Sequence, residues 1–302
     1  MTYGIDRALY PFESHYLEVT GGRMHYVDEG SGPVLVLVHG TPTWSFLYRH
    51  LIRDLSRTHR VVALDHPGFG LSDKPRGGDY RPKSLARNVD TLVERLGLKE
   101  IVLVVHDFGG PIGLSHALDH PANVRGLVLF NTWLWSLAGT PAEKASRLLG
   151  GRLGRFLYTW LNFSPRVLLP SLFGDRRKVD KAVHRQYLAP FPTRSDRYAP
   201  AAFARELMAS ADWYESLWQR RSALAQIPAL LLWGMKDSAF GPEALERWKE
   251  ALPHARVVEF AEAGHFVQEE APDEAAAHVR EFLSELPPIA GRREDGGTGY
   301  DG

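Results

Sequence analysis

Three side chains stand where short apolar runs end, and together they could carry out nucleophilic catalysis. The run 101–105, "IVLVV", closes on His106, Asp107, Phe108 and two glycines. A carboxylate at the end of a buried strand is costly unless a neighbour uses it. A sharp strand-to-helix turn of this kind exposes one side chain at the top of a sheet, as in a nucleophile elbow. The usual pattern there is G-x-S-x-G; this chain has Asp at the nucleophile position and Val105 two residues before it. Asp237 follows the run "LLLWG", and His265 follows "ARVVEF" and a short loop. A buried carboxylate beside His265 would fix its tautomer and stabilise its imidazolium. A glycine-rich turn after a strand can instead cradle phosphate, but there is no G-K-[ST] and no dinucleotide fingerprint here.

A fourth element lies in "VHGTPTWSFLYR". The His39-Gly40 turn frees the backbone N–H of Thr41, which with the N–H of Phe108 would form an oxyanion hole. The same residues also suit a plain turn built on Gly40 and Pro42. His116 and His120, spaced i,i+4, have the spacing of a metal pair, but the sequence offers no third ligand beside them. They read as helix-surface or packing residues, and neither a metal nor a cofactor is expected.

These residues need elements to position them. "HYLEV" and "RMHYVDEG", separated by "TGG", read as a hairpin. The runs 33–39, 60–65, 101–105, 126–131, 229–234 and 255–260 read as further strands. Several are continuously apolar, as in a parallel sheet covered on both faces. Helices are expected over about 44–56, 83–96, after Gly109, and over 242–252 and 272–286. Residues 132–222 contain no strand-like run and five tryptophans: Trp133, Trp135, Trp160, Trp213 and Trp218. Strand–helix alternation with one helical insertion means an α/β core, 1–131 and 223–286, carrying a helical cap, 132–222. Ligands on such sheets bind outside the carboxyl ends of the strands. The Pro-, Gly- and charge-rich stretch 287–302 reads as a disordered tail.

Composition narrows the function classes. Lys plus Arg and Asp plus Glu each number 36, so formal net charge is zero and no basic surface for nucleic acid or acidic lipid is expected. The absence of cysteine excludes disulfides, thiolate metal sites and thiol catalysis. No apolar run approaches the ~20 residues of a membrane span, and the charged first residues do not read as a secretory signal. The expectation is a cytoplasmic enzyme, monomer or weak oligomer, taking a small apolar organic substrate and water.

The stretches "HGTPTWSFLYR", "DHPGFGLSDKP", "VVHDFGG", "APFPTR", "GMKDSAFGP" and "GHFVQEEAP" resemble the α/β-hydrolases, and most of all the haloalkane dehalogenases. They spread over about residues 34–272. The resemblance implies an α/β-hydrolase fold: a mostly parallel eight-stranded sheet with helices on both faces and a helical cap inserted after strand six. It implies Asp107 as nucleophile, His265 as base and Asp237 as the acid after the later strand. Asn131, after the preceding strand, is no acid and does not offer the family's other arrangement. The implied reaction displaces halide through an alkyl ester of Asp107.

The chain departs from that family where the halide would leave. A Trp usually follows the nucleophile and donates its indole N–H; here Phe108 has no donor. An Asn often follows His-Gly; here Thr41 offers a hydroxyl. Trp160 lies in the region where one subfamily places a cap tryptophan. An epoxide hydrolase is the alternative reading, sharing the Asp nucleophile and H-G-x-P. It would need a cap tyrosine as acid, with Tyr158, Tyr187, Tyr198 and Tyr214 available. A strained lactone or other ester is a third substrate class, and a non-catalytic binding module on the same scaffold a fourth reading.

Overall fold

Period-two alternation sends neighbouring side chains of a strand to opposite faces of its sheet. In the computed structural model, which describes residues 4–288, eight strands form one sheet. They are β1 (His15–Val19), β2 (Gly22–Glu29), β3 (Val34–Val38), β4 (Arg60–Leu64), β5 (Ile101–Asp107), β6 (Val124–Thr132), β7 (Ala229–Gly234) and β8 (Arg256–Phe260). Their spatial order is β1-β2-β4-β3-β5-β6-β7-β8. β2 pairs antiparallel with β1 and β4; from β4 across to β8 the pairing is parallel. The chain runs from β3 outward to β4, then returns past β3 to β5. That reversal opens a crevice at the carboxyl ends of β3 and β5, where such sheets bind ligands.

The helices follow in chain order. α1 (Arg49–Leu55), α2 (Pro82–Arg95) and α3 (Gly109–Asp119) connect the first strands. α4 (Pro141–Gly150), α5 (Arg152–Leu161), α6 (Leu169–Ser171), α7 (Lys181–Leu188), α8 (Tyr198–Ala209) and α9 (Ala211–Gln219) lie between β6 and β7. α10 (Pro242–Ala251), α11 (Val267–Glu270) and α12 (Pro272–Glu285) complete the core. Among the described residues, none of these is long and apolar enough to cross a membrane.

Strand alternation divides the interior into two cores. Val36, Val38, Leu103, Val105, Leu127 and Leu129 pack with Leu85, Val89 and Leu92 of α2, Ile112 of α3, and Leu245 and Trp248 of α10. The intervening residues Leu35, Leu37, Val102, Val104, Val128 and Phe130 pack with Leu51, Ile52 and Leu55 of α1 and Val279, Phe282 and Leu283 of α12. Helices therefore cover both faces, and β3 and residues 101–105 of β5 are apolar throughout because neither face meets water. The helix expected over 44–56 begins as a tight 3-10 turn at Ser45–Tyr48 before α1. Asp65 accepts the Ser45 N–H at 2.7 Å, and Leu47 N–H closes back on Trp44 O, so the first turn cannot take the wider α spacing.

Between β6 and β7 the described residues form helices and loops but no strand. Phe203 of α8 packs against Phe108, ring centroids 4.5 Å apart, which brings this insertion onto the end of β5. A buried ion pair ties the insertion down further. Arg49 of α1 forks onto Glu269 of α11, with Nη2 2.7 Å from Oε2, and the Tyr187 hydroxyl of α7 donates to the same carboxylate. The expected tail, 287–302, lies outside the described residues from position 289 onward.

Breaking one side of this ion pair strands a buried charge, which costs about 3–5 kcal/mol. Arg49→Met should lower the urea-unfolding free energy by that amount. Replacing Arg49, Glu269 and Tyr187 together by Met, Leu and Phe should recover most of it. An Arg49→Met protein as stable as the wild type would show that the pair contributes nothing.

Candidate active site

Asp107 is held in a conformation that L-residues avoid. Its φ is +53°, a left-handed position costing roughly 1–2 kcal/mol for a side chain with Cβ. The β5–β6 register slips between His106 and Asp107, lifting the carboxylate off the sheet. The Thr132 hydroxyl donates to Asp107 O at 2.5 Å and fixes the turn from below. The neighbouring glycines are steric requirements: a Cβ on Gly40 would come within 2.2 Å of Asp107 Oδ1, and one on Gly109 within 2.0 Å of Val38 O. α3 starts two residues after Asp107, so the positive end of its dipole lies beside the carboxylate.

Thr41 N–H donates to Asp107 Oδ1 at 2.8 Å. Phe108, the other expected oxyanion-hole residue, is the N-cap of α3 directly beside the carboxylate. The loop carrying Thr41 is braced by the "DHPGFG" segment. His66 N–H donates to His39 Nε2 at 2.9 Å, and the His66 ring bonds His39 O at 3.0 Å. Asp65, fully buried, accepts from Ser45 N–H and Leu71 N–H and pairs with His25 at 2.8 Å. Burial pushes Asp65 up, but His25, His39 and the Leu71 N–H outweigh it and hold its pKa at about 2. The motif's acid is thus a structural brace.

The structure brings His265 and Asp237 to Asp107. His265 Nδ1 is 2.7 Å from Asp237 Oδ2, and Nε2 is 3.5 Å from Asp107 Oδ2. All three are nearly sealed from solvent. Burial pulls the His265 pKa down, yet the Asp237 charge and the hydrogen bonds to both carboxylates raise it to about 10. Asp237 is pushed up by burial and drawn down more strongly by His265, ending below the ordinary carboxylate value.

Two supporting residues escaped sequence reasoning. The Asn131 amide donates to Asp237 Oδ2 at 3.0 Å and to Gly234 O at 3.0 Å, while its oxygen accepts Gly234 N–H at 2.8 Å. It locks the acid to β7. His106 packs its ring on His265, centroids 4.5 Å apart, and its Nε2 meets His265 O at 2.9 Å. Burial and the neighbouring His265 charge hold the His106 pKa near 3, so it is neutral and Nε2–H is the donor. Its place immediately before Asp107 was the signal that could have found it.

An aromatic wall closes the site. Trp133 stands edge-on to Phe108 at 4.7 Å and stacks on Phe240 at 4.6 Å; Phe240 lies 6.0 Å from the His265 ring. Trp133 Nε1 and Thr41 Oγ1 are both buried without a hydrogen-bond partner among the described residues. Trp160 is not brought to this wall. It is 54% exposed on α5, with the Arg194 guanidinium stacked over its ring at 4.1 Å. Inward residues of α5 are Gly154, Tyr158 and Thr159, and Trp160 lies a third of a turn from Thr159.

Asp107 and Asp237 jointly hold the His265 proton, so neutralising one should release it. The raised pKa contributes stability that is fully present below the ordinary histidine value of ~6.5 and lost as pH rises through about 10. In Asp107→Asn the imidazole should titrate at lower pH, and that stabilisation should fade correspondingly earlier. Imidazole NMR resonances of His265, followed over pH in both proteins, check this. An unchanged titration would mean Asp237 alone holds the proton.

A family profile for the alpha/beta hydrolase fold matches residues 33–272. Haloalkane dehalogenase 2 of Mycobacterium tuberculosis is 40% identical over 279 residues, 91% of this chain and 96% of that protein. A cis-3-alkyl-4-alkyloxetan-2-one decarboxylase of Shewanella oneidensis is 36% identical over 297 residues, 93% of this chain and 92% of that protein. The crystal structure of a haloalkane dehalogenase from Agrobacterium tumefaciens C58 superposes with a TM-score of 0.83 at 28% identity, covering 94% of this chain and 100% of that one. Fold, strand-end chemistry and kinship agree: the chain belongs to the α/β-hydrolase fold family, as a hydrolase of the haloalkane dehalogenase type.

Proposed function

We propose that Asp107 attacks a saturated carbon bearing a halogen, and that the resulting ester is hydrolysed to alcohol. The observation that carries this reading is a carboxylate on the elbow, with one oxygen on Thr41 N–H and the other facing His265. Attack on such a carbon by serine would leave an ether, which histidine and water cannot cleave; attack by a carboxylate leaves an ester, which they can. In this reading residues 132–222 act as a cap over the 1–131 and 223–286 core, supported by the Phe203–Phe108 contact.

The steps follow from the geometry. Oδ2, the oxygen not held by Thr41, attacks carbon as the carbon–halogen bond breaks and halide leaves with the electron pair. Esterification removes the Asp107 charge and with it part of what raises His265. The imidazolium then gives its proton to solvent and becomes a base. The 3.5 Å gap between Nε2 and Oδ2 is too short for a water between them, so the hydrolytic water enters beside that line. His265 takes its proton as oxygen attacks the Asp107 carbonyl. The N–H groups of Thr41 and Phe108 hold the oxyanion, a role worth ~2.7–4 kcal/mol per donor. Collapse expels the alcohol, protonated by His265.

The halide needs donors, and Phe108 has none. Trp133 Nε1 and Thr41 Oγ1, buried and unpartnered beside this wall, are the groups we assign to it. A buried donor without a partner costs about 1–3 kcal/mol, which an incoming anion would offset. An epoxide would need a tyrosine acid. The Tyr187 and Tyr214 hydroxyls donate to Glu269 and to Glu206 O. Burial raises the pKa of Tyr158, Tyr187 and Tyr214, making each a poorer acid.

A second reading is favoured by the missing donor at Phe108 together with the oxetan-2-one decarboxylase among the relatives. A β-lactone carries its leaving group in the ring. Asp107 would attack the saturated ring carbon bonded to the ring oxygen, breaking that bond so that its electron pair leaves as a free carboxylate. Loss of carbon dioxide would then form the alkene and expel Asp107, with no hydrolytic water.

His265→Gln separates the two readings. With a haloalkane it should accumulate an alkyl ester on Asp107, seen by intact mass and peptide mapping, because only the second step needs the base. With a β-lactone, turnover should persist and no adduct should build up. An adduct on any other residue would overturn the proposed nucleophile.

Trp133→Phe keeps the ring and removes the donor. Losing a hydrogen bond to a charged group, roughly 1.5–3 kcal/mol, should slow halide release about 10- to 150-fold. Melting curves must show the fold intact. Unchanged steady-state halide release on matched chloro- and bromoalkanes would remove Trp133 from the leaving-group site.

A further inference from the structure

The histidine pair of α3 gains in the fold the ligand it lacks in sequence. His116 and His120 lie at the carboxyl end of α3, and α2 packs alongside it. Asp90 of α2 reaches across, its Oδ1 2.8 Å from His116 Nδ1. The two imidazole rings lie 4.9 Å apart at 38°. Each of the three residues offers a ligand atom, and these atoms all lie within 4.8 Å of one another. We propose that Asp90, His116 and His120 form a divalent transition-metal site that staples α2 to α3.

A plain His116–Asp90 hydrogen bond would account for that pair alone. It would not account for the His120 ring tilted beside it at 4.9 Å. Two imidazoles and a carboxylate suit zinc, nickel, cobalt or copper; magnesium and calcium prefer all-oxygen sets. The place also favours a cation, because the carboxyl end of a helix carries partial negative charge. Arg220 is near, donating to Leu118 O and to Asp119 Oδ1 at 2.7 Å, but Asp119 balances its charge. His120 is exposed and Asp90 half-buried, so an ion can enter from solvent without opening the core. The site is about 16 Å along α3 from Asp107, by helical rise, so the metal takes no part in the reaction there.

The experiment is calorimetric titration of tag-free protein with zinc and nickel chlorides, with magnesium as control, alongside melting curves with and without each ion. The wild type should bind a single zinc or nickel ion and melt several degrees higher with it, because a ligand of the native state alone stabilises that state. His120→Ala, at an exposed position, and Asp90→Asn, whose amide oxygen can still accept from His116, should each lose at least tenfold in affinity and lose the thermal shift, with their metal-free melting little changed. No saturable binding by the wild type, or binding that either variant retains in full, overturns the proposal.

Discussion

Two buried carboxylates share one imidazolium at the heart of this protein. Asp107 and Asp237 each contact His265, so the trio carries a net negative charge in a place almost without solvent. Such an excess survives only where donors surround it. Each neighbouring element supplies one: Thr41 N–H from the loop after β3, the Asn131 amide from β6, Ala239 N–H from the loop after β7, and the amino end of α3. Burial and the adjacent His265 charge keep His106 neutral against that ring, although both carboxylates pull the other way. The parallel sheet matters because it ends β3, β5, β6 and β7 at one edge, where these donors can converge.

The same charge arrangement sets the timing of the proposed chemistry. While Asp107 is an anion, His265 keeps its proton and cannot draw one from water. Once Asp107 is esterified, one of the two carboxylates holding that proton is gone. The base therefore becomes available only after there is an ester to hydrolyse. No moving part is required, because the first covalent step itself alters the electrostatics of the second.

Sequence reasoning reached what local pattern encodes. Apolar runs followed by Asp107, Asp237 and His265 marked the strands and the three side chains that the fold brings together, since a charge after a buried strand is informative wherever it occurs. The helical character of 132–222 was legible from the loss of strand patterning. What escaped was set by contacts between distant segments. Asn131 looked only like a missing acid; its amide holds Asp237 from 106 positions away. Asp90, which meets His116 at 2.8 Å, comes from another helix, so no sequence spacing pointed to it. Trp160 was named for its region of the chain, but the register of α5 turns it toward solvent, and helical phase within an irregular insertion is poorly fixed by sequence. Trp133 counted only as one of five tryptophans in the insertion, since a buried tryptophan reads as packing until its N–H is found without an acceptor.

Position 108 separates nucleophile from leaving group as determinants of function. The Phe108 ring is wedged between Trp133 and Phe203, at 4.7 and 4.5 Å. An indole there would have to displace one of them, and overpacking of that kind costs typically 1–3 kcal/mol. That is comparable with the ~1.5–3 kcal/mol that a hydrogen bond to a departing halide contributes, so the wall and the donor at this position compete on nearly equal terms. With Phe108 in place, stabilisation of the leaving group has to come from Trp133 and Thr41, or from a leaving group whose departure relieves ring strain. In both proposed reactions the attacking group is the Asp107 carboxylate. In the proposed chemistry, which bond breaks is then decided by a wall of aromatic residues and by where the Trp133 N–H, unpartnered among the described residues, finds an acceptor.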